Sequence, residues 1–181
     1  MARQLIEIEN ADIIFKNFSG AEKKAVKNGA MRVVNDAGNR NFTVNIDPTK
    51  SNIYYNGELV TDPDFGLTLA DEGFNITVKP GREEGDPAQY RLQVAVSYNG
   101  PIQPKLYQIN RNNRPIPLTE QTVNDLDGVD IVMAKIVINS GKPYINDNGE
   151  KKVKAWCNEG YFTYYRSRFA SEYDFDDEVN E

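Results

Sequence analysis

Wherever the chain is apolar, it alternates. Phe42, Val44 and Ile46 are separated by single polar residues, and so are Phe74, Ile76 and Val78. Tyr90, Leu92, Val94, Val96 and Tyr98 repeat the pattern with polar or small residues between them. A period of two puts successive side chains on opposite faces and predicts half-buried β-strands. Another strand is predicted at about residues 6–18, and a late pair over residues 129–138 and 151–166. Between that pair, Asn148-Gly149 supplies the dipeptide that tight hairpins favour. Helical spacing is confined to residues 66–72 and 119–127, each followed by a glycine, Gly73 or Gly128, able to take the left-handed conformation of a helix stop. Pro115 and Pro117 bar earlier turns from the second helix, whose Leu118, Val123 and Leu126 are spaced to face a core. Residues 20–39 and 80–87 have no period and read as mobile loops.

Five or more curled antiparallel strands, one or two short capping helices and long loops predict a mainly β fold. An OB-fold-like five-stranded Greek-key barrel suits them better than a β-sandwich, the alternative that the same strands allow. At 181 residues and 39% hydrophobic, the chain is long enough to close one core without disulfides. Neither a repeat nor a linker divides it, so residues 1–170 read as the domain and residues 171–181 as an acidic tail. The first ten residues lack the pattern of an export signal, and no stretch approaches the roughly 20 apolar residues of a bilayer span. The expectation is a cytoplasmic protein with no membrane partner.

Composition then removes most catalytic chemistry. There is no histidine, and Cys157 is the single cysteine. Cys/His zinc sites, Ser-His-Asp and Cys-His nucleophiles, histidine bases and an internal disulfide are all excluded. Asn146-Asp147-Asn148-Gly149 has a faint calcium-loop look, but Tyr144 and Ala155 then fall where the first and last carboxylate ligands belong. Glycine-rich phosphate loops are absent. No cofactor, metal or catalytic residue is expected; a nuclease built from Asp and Glu is the residual enzymatic alternative, and no carboxylate constellation stands out for it.

Charge is segregated. Of 27 acidic residues, six lie in the last ten positions, where no base occurs; the other 21 match the 21 Lys and Arg. The domain is therefore neutral, and the net −6 resides in the tail. That tail, with Glu172, Tyr173, Asp174, Phe175, Asp176, Asp177 and Glu178, has two readings. It is a solvated chain end, or it mimics nucleic acid on a cationic groove and presents Tyr173 and Phe175 to partners.

Outward positions identify the ligand class. If Leu92, Val94 and Val96 face in, then Arg91, Gln93, Ala95 and Ser97 face out, as do Asn75, Thr77 and Lys79. Arg82 follows in the charged run at 80–87. Lys105, Tyr107, Ile109 and Arg111 share one strand face, and Lys154 and Trp156 share another, opposite Val153, Ala155 and Cys157. Single-strand binders combine cations along phosphates with rings on which unpaired bases stack. Most of the aromatics will be core and strand-pair filler, and Trp156 and Tyr107 are the leading candidates for contact. The competing reading, from the neutral domain, is a protein-interaction module, such as a virion or host-takeover adaptor, with no nucleic-acid role.

The segment Asn10-Ala-Asp-Ile-Ile-Phe-Lys-Asn-Phe-Ser-Gly20, followed by Gly38-Asn-Arg-Asn-Phe-Thr-Val44, resembles the amino-terminal part of small phage-encoded single-stranded DNA-binding proteins. The order of short helix, strand and acidic tail is similar as well. The resemblance implies an OB-fold protein that coats and protects single-stranded DNA during phage replication and recombination in the host cytoplasm. It also implies Lys16, Arg40 and Asn41 near the DNA backbone, and replisome partners reached through the tail. Many such tails end in phenylalanine, whereas this one ends Val179-Asn180-Glu181.

Overall fold

The computed structural model describes residues 3–164. The tail and its candidate residues, Glu172 to Glu178, lie outside them. In chain order the strands are β1 (Leu5–Glu9), β2 (Asp12–Asn17), β3 (Lys23–Lys27), β4 (Ala30–Asn35), β5 (Arg40–Asn45), β6 (Asn52–Tyr55), β7 (Glu58–Leu59) and, after helix α1 (Phe65–Asp71), β8 (Ile76–Lys79) and β9 (Gln89–Val96). Then come β10 (Lys105–Ile109), β11 (Pro115–Leu118), a 3-10 helix (Thr122–Gly128), β12 (Met133–Ser140), β13 (Tyr144–Ile145), β14 (Lys151–Lys152) and β15 (Ala155–Thr163).

Five long elements close a barrel. The predicted opening strand is broken at Asn10, whose φ of 56° bends the chain between β1 and β2. β1 pairs with β12 while β2 pairs with β5, so one continuous segment belongs to both ends of the sheet. From β5 the order runs through β9, β15 and β12 back to β1. Around these five elements every contact is antiparallel except β9 with β15, where Trp156 lies beside Ala95. Counted in chain order, the five are arranged 1-2-3-5-4-1, a Greek-key barrel of the OB type.

Alternation fills the interior as expected. Phe18, Phe42 and Phe162 are fully buried, with Phe18 stacked on Phe42 at 5.0 Å and edge-on to Phe162 at 5.6 Å. Leu69 of α1 and Val123 and Leu126 of the 3-10 helix are also fully buried and plug the core. Each such side chain contributes about 1.5–3 kcal/mol through burial. Gly66 of α1 is obligatory, because a β-carbon there would stand 2.2 Å from the Tyr90 Cβ.

Three local expectations need correction. Residues 20–39 are not an aperiodic loop but carry the β3/β4 hairpin, closed by Asn28-Gly29 with φ of 52° and 78°; two positive φ values are what a two-residue hairpin turn demands. The Asn148-Gly149 turn is wider than anticipated: Asn146 Oδ1 accepts from the Asn148 and Glu150 N–H groups, and β13 and β14 pair outside that loop. The second helix is 3-10 and includes Gly128, which is not left-handed; it ends at Val129 in extended conformation. Asp127 accepts from the Phe18 and Ser19 N–H groups, tying its last turn to the end of β2. Among the described residues no helix is long and apolar enough to cross a membrane.

Candidate nucleic-acid interface

Because side chains alternate, the barrel's outer surface is written in the polar positions of its strands. On β5 these are Asn41, Thr43 and Asn45; on β9 they are Arg91, Gln93 and Ala95; on β15 the first is Trp156. Register aligns Asn41 with Ala95 and Ala95 with Trp156, giving one cross-strand row. Alanine at the centre keeps the floor low between taller neighbours. Above this row runs an open groove of about 660 Å³, walled by Asn35, Gly38 and Asn39 at the base of the β3/β4 hairpin and by Tyr144, Asn146 and Lys152 on the β13/β14 hairpin.

Rings and cations are paired inside it. Lys154 Nζ lies 4.6 Å from the centroid of the half-buried Trp156 ring, and the Arg40 guanidinium lies 5.3 Å from that of Tyr98. Such contacts hold the cation over the ring without neutralising it. Arg40 is fixed further: Nη1 donates to Phe18 O at 2.6 Å and Asn124 Oδ1 at 2.7 Å, and Nη2 is 4.0 Å from Glu120. Asn41 Nδ2 donates to Asn35 Oδ1 at 2.9 Å and Asn39 O at 3.1 Å, which braces the hairpin base. Behind the indole, a β-carbon at Gly141 would come within 3.1 Å of Trp156 Nε1, so the ring is seated against backbone.

The Tyr98 hydroxyl is shielded and has no hydrogen-bond partner. Burial raises its pKa although Arg40 pulls the other way, so the phenol keeps its proton at neutral pH while other atoms of Tyr98 line the groove. Cys157, one residue from Trp156, points into the core; burial pushes its thiol up to about 12, which removes it as a nucleophile. Among the described residues no group of three or more His, Cys, Asp or Glu is placed to hold a metal ion.

Of the residues singled out from sequence, Arg40, Asn41, Lys154 and Trp156 converge on the groove, with the outward positions Asn75, Gln93, Ala95 and Ser97. The rest do not join them in one stripe. Lys16 donates to Val129 O and is turned toward the 3-10 helix, because the strand slips register beside it. Lys79, Arg82 and Arg91 line a separate hollow with Asp12, Asp47 and Asp86. Lys105, Tyr107 and Arg111 belong to β10 and the turn after it, which run along the later half of β15, and the Tyr107 ring stacks on Tyr161 at 5.3 Å. Reasoning from sequence missed two aromatic groove residues, Tyr98 and Tyr144. Tyr98 ends an inward-facing series, but the strand stops at Val96 and frees it to turn. Tyr144 was hidden in a short arm of an irregular hairpin, where no period could flag it.

A family model described as a phage ssDNA-binding domain matches residues 2–181. Among curated proteins no sequence matches the chain. Three similar solved structures are single-stranded DNA-binding proteins of bacteriophages. That of bacteriophage Enc34 has 10% identity and a TM-score of 0.46, covering 94% of this chain and 90% of its own. The same protein in complex with ssDNA has 10% identity and a TM-score of 0.44, covering 91% and 89%. Protein gp2.5 of bacteriophage T7 has 11% identity and a TM-score of 0.40, covering 99% and 97%.

Proposed function

The chain belongs to the phage single-stranded DNA-binding domain family, and from that premise we propose that it holds an unpaired strand in the groove over β5, β9 and the start of β15. The observation that carries this reading is the pairing of Lys154 with Trp156 and of Arg40 with Tyr98 inside one open channel. Rings offer faces to unstacked bases of any sequence, at about 1–3 kcal/mol each, and cations follow the phosphates. The lining is otherwise rich in amides, Asn35, Asn39, Asn41, Asn75 and Gln93, with Glu120 as its one acid among the described residues. Amides hydrogen-bond base edges and sugar-phosphate oxygens alike, so the groove is sequence-tolerant.

The β3/β4 hairpin is the closing arm. Lys23, Lys24, Lys27 and Arg32 give it charge, and Val26, Met31 and Val33 are exposed on it. A strand lying in the groove would meet both. The physiological role is to coat and protect single-stranded DNA during phage replication and recombination. The acidic tail, residues 171–181, competes with that strand for the cations through its charge alone.

Fluorescence anisotropy with labelled oligo-dT and a duplex of equal length tests the reading. Salt-sensitive binding of the single strand and far weaker binding of the duplex, whose bases are unavailable for stacking, are expected. Equal affinity for both would remove the rings from the account.

A further inference from the structure

Phe15 stands where no phenylalanine is at ease. Alternation from the inward Ile13 would carry its ring into the core, yet it is 67% exposed. The cause is local: register slips between Ile14 and Asn17, and Phe15 takes a φ of 49°, a left-handed conformation that bulky side chains avoid. Bulges of this kind re-aim a side chain and cluster next to functional sites. Here the bulge turns a large ring out onto the barrel surface.

What the ring meets there is specific. The Arg91 guanidinium lies 5.3 Å from its centroid, and with Phe15 mostly exposed the ring's remaining surface is open to solvent. Arg91 and Asn45 are cross-strand neighbours on the outer face of β9 and β5. Arg91 Nε and Asn45 Oδ1 are both shielded, and neither has a hydrogen-bond partner. The exposed ring, with the guanidinium of Arg91 over one side, leaves an open aromatic surface for the face of a nucleobase. Asp12, which accepts from Asn45 Nδ2 at 2.6 Å, Asp47 and Asp86 bring negative charge to the hollow on the other side of Arg91, and Lys50, Lys79 and Arg82 balance it. A base rather than a phosphate is what such mixed surroundings select.

We propose that Phe15 and Arg91 form a second stacking platform, which takes an unpaired base of the same strand that the groove holds. This rests on the groove reading. Arg91 lies four residues before Ala95 on the same face of β9, about 13 Å along the strand, so a strand reaches it only when it extends at least that far past the Trp156 row, as a longer oligonucleotide does and one filled up by the groove aromatics does not.

The test uses the full chain with oligo-dT of about 4 and about 12 nucleotides, the range that OB folds hold. Phe15→Gly should lower affinity for the longer oligonucleotide about 5- to 100-fold, the loss of one stacked base, and leave the shorter one unchanged. Its thermal midpoint should stay level or rise, because glycine adopts positive φ freely. Phe15→Trp should bind the longer oligonucleotide at least as well as the wild type. The platform is overturned by Phe15→Gly that binds both lengths like wild type, or by a lowered midpoint with equal loss at both lengths, which marks a structural residue. Wild type that binds neither length overturns the groove reading, and the platform with it.

Discussion

Two regions of the barrel carry the same local signature, a lysine and an aromatic ring two residues apart on one strand face. In the first, Lys154 and Trp156 open onto a channel between two hairpins, over the low floor of Ala95. In the second, Lys105 and Tyr107 sit on β10, and the Tyr107 ring lies 13° from parallel with that of Tyr161. The two rings are half-buried cross-strand partners, and each covers one face of the other. β11 then covers the other edge of β10. Spacing along a strand therefore reports which face a ring occupies, whereas the neighbouring strand decides whether that face is free. A tyrosine stacked on a tyrosine is a cross-strand pair that stabilises the sheet; an indole beside an alanine is a surface.

The sharpest way to break this contrast is to remove each ring in turn. Trp156→Ala should weaken oligo-dT binding by about 1–3 kcal/mol, and in the wild type the strand should quench the emission of Trp156, the single tryptophan, while Tyr107→Ala should leave affinity unchanged and lower the thermal midpoint. Anisotropy and melting curves on the same samples read both. Next in size is the charge contrast. Lys154→Ala should reduce the log-log salt slope by about 0.7, one phosphate's share, and Lys105→Ala should leave it alone. Smallest is the tail. Deleting Glu172 to Glu181 removes six negative charges and should tighten binding at low salt, with the gain fading as ionic strength screens it; a gain that persists at high salt would mean that the tail acts by something other than charge.

Much of the fold was legible because alternation is a direct image of burial. Phe42, Val44, Leu92, Val94 and Val96 all face in, and Gly73, with a φ of 103°, ends α1 as its position implied. Barrel closure was not legible, since it depends on one strand dividing its partners at Asn10, a residue whose local preference gives no hint of pairing. The β3/β4 hairpin was missed although Asn28-Gly29 carries the same signal as Asn148-Gly149, because its arms are exposed on both faces and their apolar residues do not alternate with polar ones. At the interface, Trp156 and Lys154 followed from their shared face, and Arg40 and Asn41 entered through a family resemblance. Phe15 could not be found by period, because a bulge reverses the parity on which period depends.

Photo-cross-linking of an oligo-dT strand, with the attached peptides mapped by mass spectrometry, tests the central claim most directly. Cross-links should fall on Trp156, Tyr98 and Tyr144 around the channel between the two hairpins. Cross-links concentrated on Tyr107 and Tyr161, with the channel aromatics untouched, would contradict it.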